Sequence, residues 1–247
     1  MSSPFPPRRN DLPGAVIDLA ARIGAQAIPA GSADAGMVTL TQAGRMKRAL
    51  GQDRWMAFTA RQTISTGACN FAWRARFTPF GMISVCDALD NGVGRLDVTA
   101  LGVIPLARTA HTAALMRGEL MRYLAEIAWA PDAIFNNRDL RWREAGPDTL
   151  MVGAGHGAAG AEIALGLDRE GRIATAFAPD RPRSAVEPIL PTPWRGRYWD
   201  YRRHLGRWIP FAGEVAWTVD GHDEVYWQGT LASWATNLPV NASAPSG

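Results

Sequence analysis

TAALMRGELMRYLAEIAWAP, residues 112–131, is the stretch whose reading decides the fold of this sequence. On a helix of about 100° per residue, Met116, Leu120, Tyr123, Leu124 and Ile127 share one apolar face. A second stripe runs beside it at spacings of 4, 3, 4 and 3: Leu115, Glu119, Arg122, Glu126 and Trp129. The remaining positions are mostly small or apolar (Ala113, Ala114, Gly118, Met121, Ala125, Ala128), so the helix is expected to be buried on most sides. Two carboxylates and a guanidinium on a buried helix are costly unless they are paired or face a wet cavity. Two readings stay open. Arg122 and Glu126 form a structural i,i+4 pair, or the stripe lines a pocket in which the carboxylates move protons or grip a ligand.

On both sides of this helix the period changes to two. Upstream, Met56, Phe58, Ala60, Gln62 and Ile64 alternate with Trp55, Ala57, Thr59, Arg61 and Thr63. Phe71, Trp73, Ala75 and Phe77 then alternate with Asn70, Ala72, Arg74 and Arg76, a half-buried strand. Further strands are expected over residues 82–89 and 95–101, joined by the hairpin turn DNGVG at 90–94. Downstream, strands are expected over 140–144, 149–152, 161–167, 172–178, 197–203, 208–219 and 224–235, with a Pro-rich connection at 181–194. Near the start, Val16, Leu19, Ala20 and Ile23 predict a surface helix over 15–27. A loop follows at 30–36, and Thr41 is read as the cap of a second short helix, QAGRMKRAL, ending at Gly51. Residues 1–12 read as a disordered lead, 13–238 as a single β-rich domain and 239–247 as a loose tail. The expected fold is mainly β (α+β): a large curved antiparallel sheet or open barrel wrapped around a central helix, with N-terminal helices.

Composition narrows the function. The chain has 247 residues, 47% of them hydrophobic and 20% charged, an ordinary globular balance. Ten Trp is well above ordinary usage and suggests a broad core or an aromatic-lined cavity. The net charge is only +3 and the basic residues are dispersed, which argues against a nucleic-acid partner. No window approaches the roughly 18 apolar residues of a membrane span, so none is expected. The polar, Pro-rich start MSSPFPPRRNDLPG does not resemble an export signal. A cytoplasmic location is the expectation, with Cys69 and Cys86 as free thiols.

Residues 155–160, GHGAAG, spell a literal G-x-G-x-x-G. A dinucleotide fingerprint needs a helix next, whereas Ile163, Leu165 and Leu167 alternate with Glu162, Ala164 and Gly166, so a Gly-rich hairpin is expected. His111, His156, His204 and His222 are scattered without ligand spacing. Neither a metal nor a cofactor is expected, and no nucleophile motif stands out. Asp87 shares a strand face with Val85 and Leu89, where a carboxylate calls for a partner or a function; Asp97 reads as exposed. Tyr198, Tyr201 and Tyr226 lie where their hydroxyls could enter a cavity.

Taken together, WMAFTARQ (55–62), FAWRARF (71–77), GELMRYLAEIAWAP (118–131), TPW (192–194), YRRHLGRWIPFAGEVAW (201–217) and EVYWQG (224–229) resemble a bacterial family of uncharacterised proteins. That family carries a domain of unknown function with the motif Arg-Tyr-Leu-x-Glu-x-x-Trp-x-Pro, here Arg122, Tyr123, Leu124, Glu126, Trp129 and Pro131. The resemblance covers about residues 40–235 and implies no activity. The residues themselves point first to a cofactor-independent acid/base enzyme, a lyase, isomerase or hydrolase, acting on a small hydrophobic molecule, aromatic ones included, in a barrel cavity. Glu126, Arg122, Glu119 and Asp87 are the candidate catalytic residues; Trp73, Tyr123, Trp129, Tyr198 and Tyr201 are the candidate substrate contacts. The alternative is a non-catalytic hydrophobic-ligand or lipid-binding protein resembling half-barrel carriers. A nucleotide-dependent oxidoreductase, resting on the Gly-rich stretch alone, comes third. Oligomeric state is left open.

Overall fold

The computed structural model describes residues 12–28, 36–78, 83–100, 104–108, 112–183 and 188–238. After a first helix, α1 (Gly14–Ile23), come six strands: β1 (Met37–Lys47), β2 (Trp55–Ser65), β3 (Phe71–Phe77), β4 (Ile83–Asp90), β5 (Val93–Ala100) and β6 (Ile104–Arg108). The helix of the opening stretch, α2 (Ala113–Ala125), and the short α3 (Ala133–Asn136) follow. Seven strands complete the chain: β7 (Arg141–Gly146), β8 (Thr149–Ala154), β9 (Ala161–Leu167), β10 (Ile173–Pro182), β11 (Pro191–His204), β12 (Arg207–Val219) and β13 (His222–Thr236).

These thirteen strands make one sheet in the order β6-β5-β4-β3-β2-β1-β13-β12-β11-β10-β9-β8-β7. It is two meanders laid side by side, and the antiparallel pairing of β1 with β13 is the seam between them. The first meander ends at one edge, β6, and the second begins at the other, β7, so the segment carrying α2 crosses from edge to edge. α2 packs against β4 and β5 in one wing and against β8, β9 and β10 in the other. Contact with strands that far apart in one sheet requires the sheet to curve around the helix, the architecture the alternation on both sides predicts.

The hairpins follow from local chemistry. Asn91–Gly92, Leu205–Gly206 and Asp220–Gly221 are two-residue turns with positive φ at both positions. Turns of that kind match the right-handed twist of the strands they join. α1 buries Val16, Leu19, Ala20 and Ile23, as their spacing implies, and ends at Gly24 in the left-handed region with φ of 72°. A Cβ at Gly24 would lie 2.3 Å from the Gly206 carbonyl oxygen, so a side chain is excluded there by sterics as well as by φ.

Several local expectations are corrected. The second N-terminal helix is absent: its first residues, through Lys47, continue β1. TQAGRMK has no strong strand propensity, but it is paired on both sides, to β2 and to β13, and that tertiary pairing overrides it. Gly44 is required at the seam, because a Cβ there would meet the Gln228 carbonyl oxygen at 2.1 Å. β6 is an extra strand, and its Pro105 sits at the sheet edge, where a missing N–H costs least. The Pro-rich connection shrinks, since β10 runs to Pro182 and β11 starts at Pro191. Residues 1–11 of the lead expected over 1–12, most of the 30–36 loop and the tail from 239 lie outside the described residues. The two cysteines are free thiols, and burial pushes Cys69 up to about 11.

Candidate functional site

α2 starts where Thr112 caps it, accepting from the Leu115 amide at 3.1 Å. It ends in a tight turn over Glu126–Ala128. The carbonyl of Ala125, one of those a helix end leaves unpaired, accepts from the Tyr198 hydroxyl at 2.9 Å. Trp129 donates its indole N–H to the Pro210 carbonyl and accepts at its own carbonyl from Trp234, which locks the end of the helix to the second wing.

Between α2 and the sheet lies a cavity of about 330 Å³. All five residues of the stripe, Leu115, Glu119, Arg122, Glu126 and Trp129, line it. The first wing supplies Gln62, Trp73, Asp87 and Leu96, which are cross-strand neighbours in a single row over β2 to β5. The second wing supplies Arg181, Trp194, Tyr198, Trp217 and Trp227. A register shift between Val215 and Ala216 leaves Tyr226 with no residue opposite it, and Tyr226 and Trp227 both reach the cavity although they are adjacent in sequence. Five of the ten Trp therefore stand around one space.

Several polar groups in this space are bound to one another. Arg122 donates from Nε to Glu126 Oε1 at 2.9 Å and from Nη1 to Asp87 Oδ2. Its guanidinium also lies 4.8 Å from the Phe71 ring centre and 5.3 Å from that of Trp73. Glu126 Oε2 accepts from Gln62 Nε2 at 2.5 Å, so each of its oxygens accepts one hydrogen bond. Trp73 donates to Gln42 at 2.8 Å. Burial raises the Glu126 carboxyl above its ordinary range, against the pull of Arg122. Glu119 is raised much further, by burial first and then by the charge of Asp87. Glu119 Oε2 and Asp87 Oδ1 are both buried without another partner, and the two carboxyls are within hydrogen-bond reach of each other.

The four candidate catalytic residues, Glu126, Arg122, Glu119 and Asp87, thus meet in one cluster, and Trp73, Trp129 and Tyr198 stand around it. Tyr123 does not join them. It is fully buried on the other side of α2, with its hydroxyl donating to Ser65 O and accepting from Asn137 Nδ2, both at 2.9 Å. Tyr201 is also outside the cavity and donates to the Ile173 carbonyl. The sequence reading missed Gln62, Arg181, Trp194, Trp217 and Trp227 as lining residues. Gln62 had a signal, a lone amide in the inward-facing set of β2. Arg181 had none, because it sits in the stretch read as a connection. Gly155 to Gly160 is a short turn, with one 3-10 turn over Gly157–Ala159, that leads straight into β9. No helix follows to receive a pyrophosphate.

Residues 11–235 match a family of unknown function, DUF6920. A comparison with curated proteins finds no match. Among solved structures, a LolA superfamily protein from Nitrosomonas europaea is 12% identical, with 89% of this chain and 92% of that one covered and a TM-score of 0.44. A DUF1329 family protein from Desulfovibrio piger is 9% identical, with 93% of each chain covered and a TM-score of 0.47.

Proposed function

This chain belongs to DUF6920, a family of unknown function, and we propose that it is a binding protein that holds a small hydrophobic molecule between α2 and the sheet. One observation carries the reading: Arg122 and Glu126 of the α2 stripe are bound to each other and to Asp87 and Gln62, while the indoles are left facing the space. Each Glu126 oxygen already accepts a hydrogen bond, from Gln62 and from Arg122, and Arg122 already holds two carboxylates. What remains for a ligand is a wall of Trp73, Trp129, Trp194, Trp217 and Trp227 around a cavity of about 330 Å³, within the range of small-molecule sites. The Asp87–Glu119 pair is the observation that favours acid/base chemistry, the second reading.

Titration with the neutral fluorescent probe N-phenyl-1-naphthylamine tests the proposal. The expected result is a saturable rise in emission with one site per chain. Val215→Trp adds bulk at a half-buried wall position and should weaken binding at least tenfold while the protein stays folded. Emission that never saturates with wild-type protein would sink the binding role. Recovery of a bound molecule chemically altered after incubation would favour the enzyme instead.

A further inference from the structure

One charged group in the cavity is left out of the network around Arg122. Arg181, on β10, is only 8% exposed. Its guanidinium lies over two neighbouring indoles, 4.7 Å from the Trp194 ring centre and 5.5 Å from that of Trp217. Nε donates to the Gly118 carbonyl at 3.2 Å. Among the described residues, its terminal nitrogens have no hydrogen-bond acceptor and no carboxylate within ion-pair distance. Arg183, two residues on, lines the same cavity and likewise has no described carboxylate partner. A guanidinium that is nearly buried, held over two indoles and open on its forked side is costly unless an anion arrives to meet it.

We infer that the ligand is a monoanionic amphiphile whose carboxylate docks on the terminal nitrogens of Arg181, with Arg183 adding charge at the same end and the apolar body lying against the indoles. This rests on the proposed binding role and names the class of molecule bound. A cationic head is disfavoured because Asp87 and Glu126 are already held by Arg122. Burial and then Asp87 raise the Glu119 carboxyl and outweigh the charge of Arg181, which pulls it down, and Glu119 makes no ion pair with Arg181. A phosphomonoester would bring two charges into a space that already holds Asp87 and Glu126. A carboxylate brings one, and it is planar, which suits the guanidinium fork.

Displacement of N-phenyl-1-naphthylamine by dodecanoate, 1-dodecanol and dodecylammonium, each below its aggregation limit near pH 7.5, separates the alternatives. The wild-type protein should bind dodecanoate at least tenfold more tightly than dodecanol, and dodecylammonium most weakly. Arg181→Met should bring the ratio of dodecanoate to dodecanol affinity down to about one. Should that variant fail to fold, Arg181→Lys keeps the charge without the fork and should give a ratio between those of wild type and one. Equal binding of acid and alcohol by the wild-type protein, a preference for the ammonium, or failure of all three to displace a bound probe would overturn the carboxylate inference. Failure of the probe itself to bind is the different result that removes the binding role.

Discussion

Arg207 and Asp132 are both completely inaccessible to solvent and are joined by two hydrogen bonds, of 2.9 and 3.3 Å. Asp132 also accepts from the Gln26 amide at 2.7 Å, so this pair ties α1's exit, the end of the α2 segment and the β11–β12 turn together. Removing one partner from a sealed pair typically costs about 3–5 kcal/mol. Asp132→Ala should therefore lower the melting temperature by on the order of ten degrees, read by circular dichroism. Glu119 predicts a pH effect of defined sign. Its folded pKa is raised above the model-compound value of 4.5, so the native state holds the proton more tightly than the unfolded chain does. That contribution to stability is fully present below the unfolded value and is lost as pH rises toward the folded one. Glu119→Gln should consequently melt near wild type at pH 4 and above it at pH 8. A variant less stable than wild type at pH 8 would show that the carboxyl is needed ionised. Cys69, with a thiol pushed up to about 11 by burial, should resist alkylation at pH 8 until the protein unfolds.

At the scale of elements, α2 was the most legible part of the sequence. Its apolar face and its Leu115 to Trp129 stripe were separable from spacing alone, and the stripe meets the cavity while Tyr123 and Leu124 are fully buried. Asp87 was legible for the same reason, as a carboxylate on an apolar strand face. The wall contributed by the second wing was not. Trp194, Trp217 and Trp227 lie on the adjacent strands β11, β12 and β13, and only the sheet's curvature brings them to face the first wing, which no local period encodes. Tyr226 reaches the cavity only through a bulge. β1 was misread because its last turn of sequence suits a helix, and only pairing on both flanks makes it a strand. Gly44→Val tests that pairing, since its Cβ would overlap the Gln228 carbonyl. The expected outcome is loss of cooperative unfolding, whereas Gly51→Ala, with nothing within 4 Å of the added atom, should be folded despite some strain from its φ of 75°.

Across the whole molecule, a single continuous ladder runs from β6 to β7, with both ends unpaired among the described residues. Amide hydrogen exchange should reflect that order, slowest in β1 and β13 at the centre and fastest in β6 and β7. Protection of β6 and β7 as strong as that of β1 and β13 would mean that the edges pair in solution and that the sheet closes. The wings are joined at the seam by hydrogen bonds and across the concave face by α2, so the cavity is bounded by elements from both halves of the chain.

That arrangement has a consequence for how the protein is made. β1 is complete at Lys47, but its partner across the seam begins only at His222. At a synthesis rate of about 5–20 residues per second, the interval between them is on the order of ten to thirty seconds. Throughout that interval the first wing has Val38 and Leu40 on a strand whose outer ladder is open. A nascent chain in that condition is a substrate for chaperones and a template for wrong strand pairing until its last strand arrives.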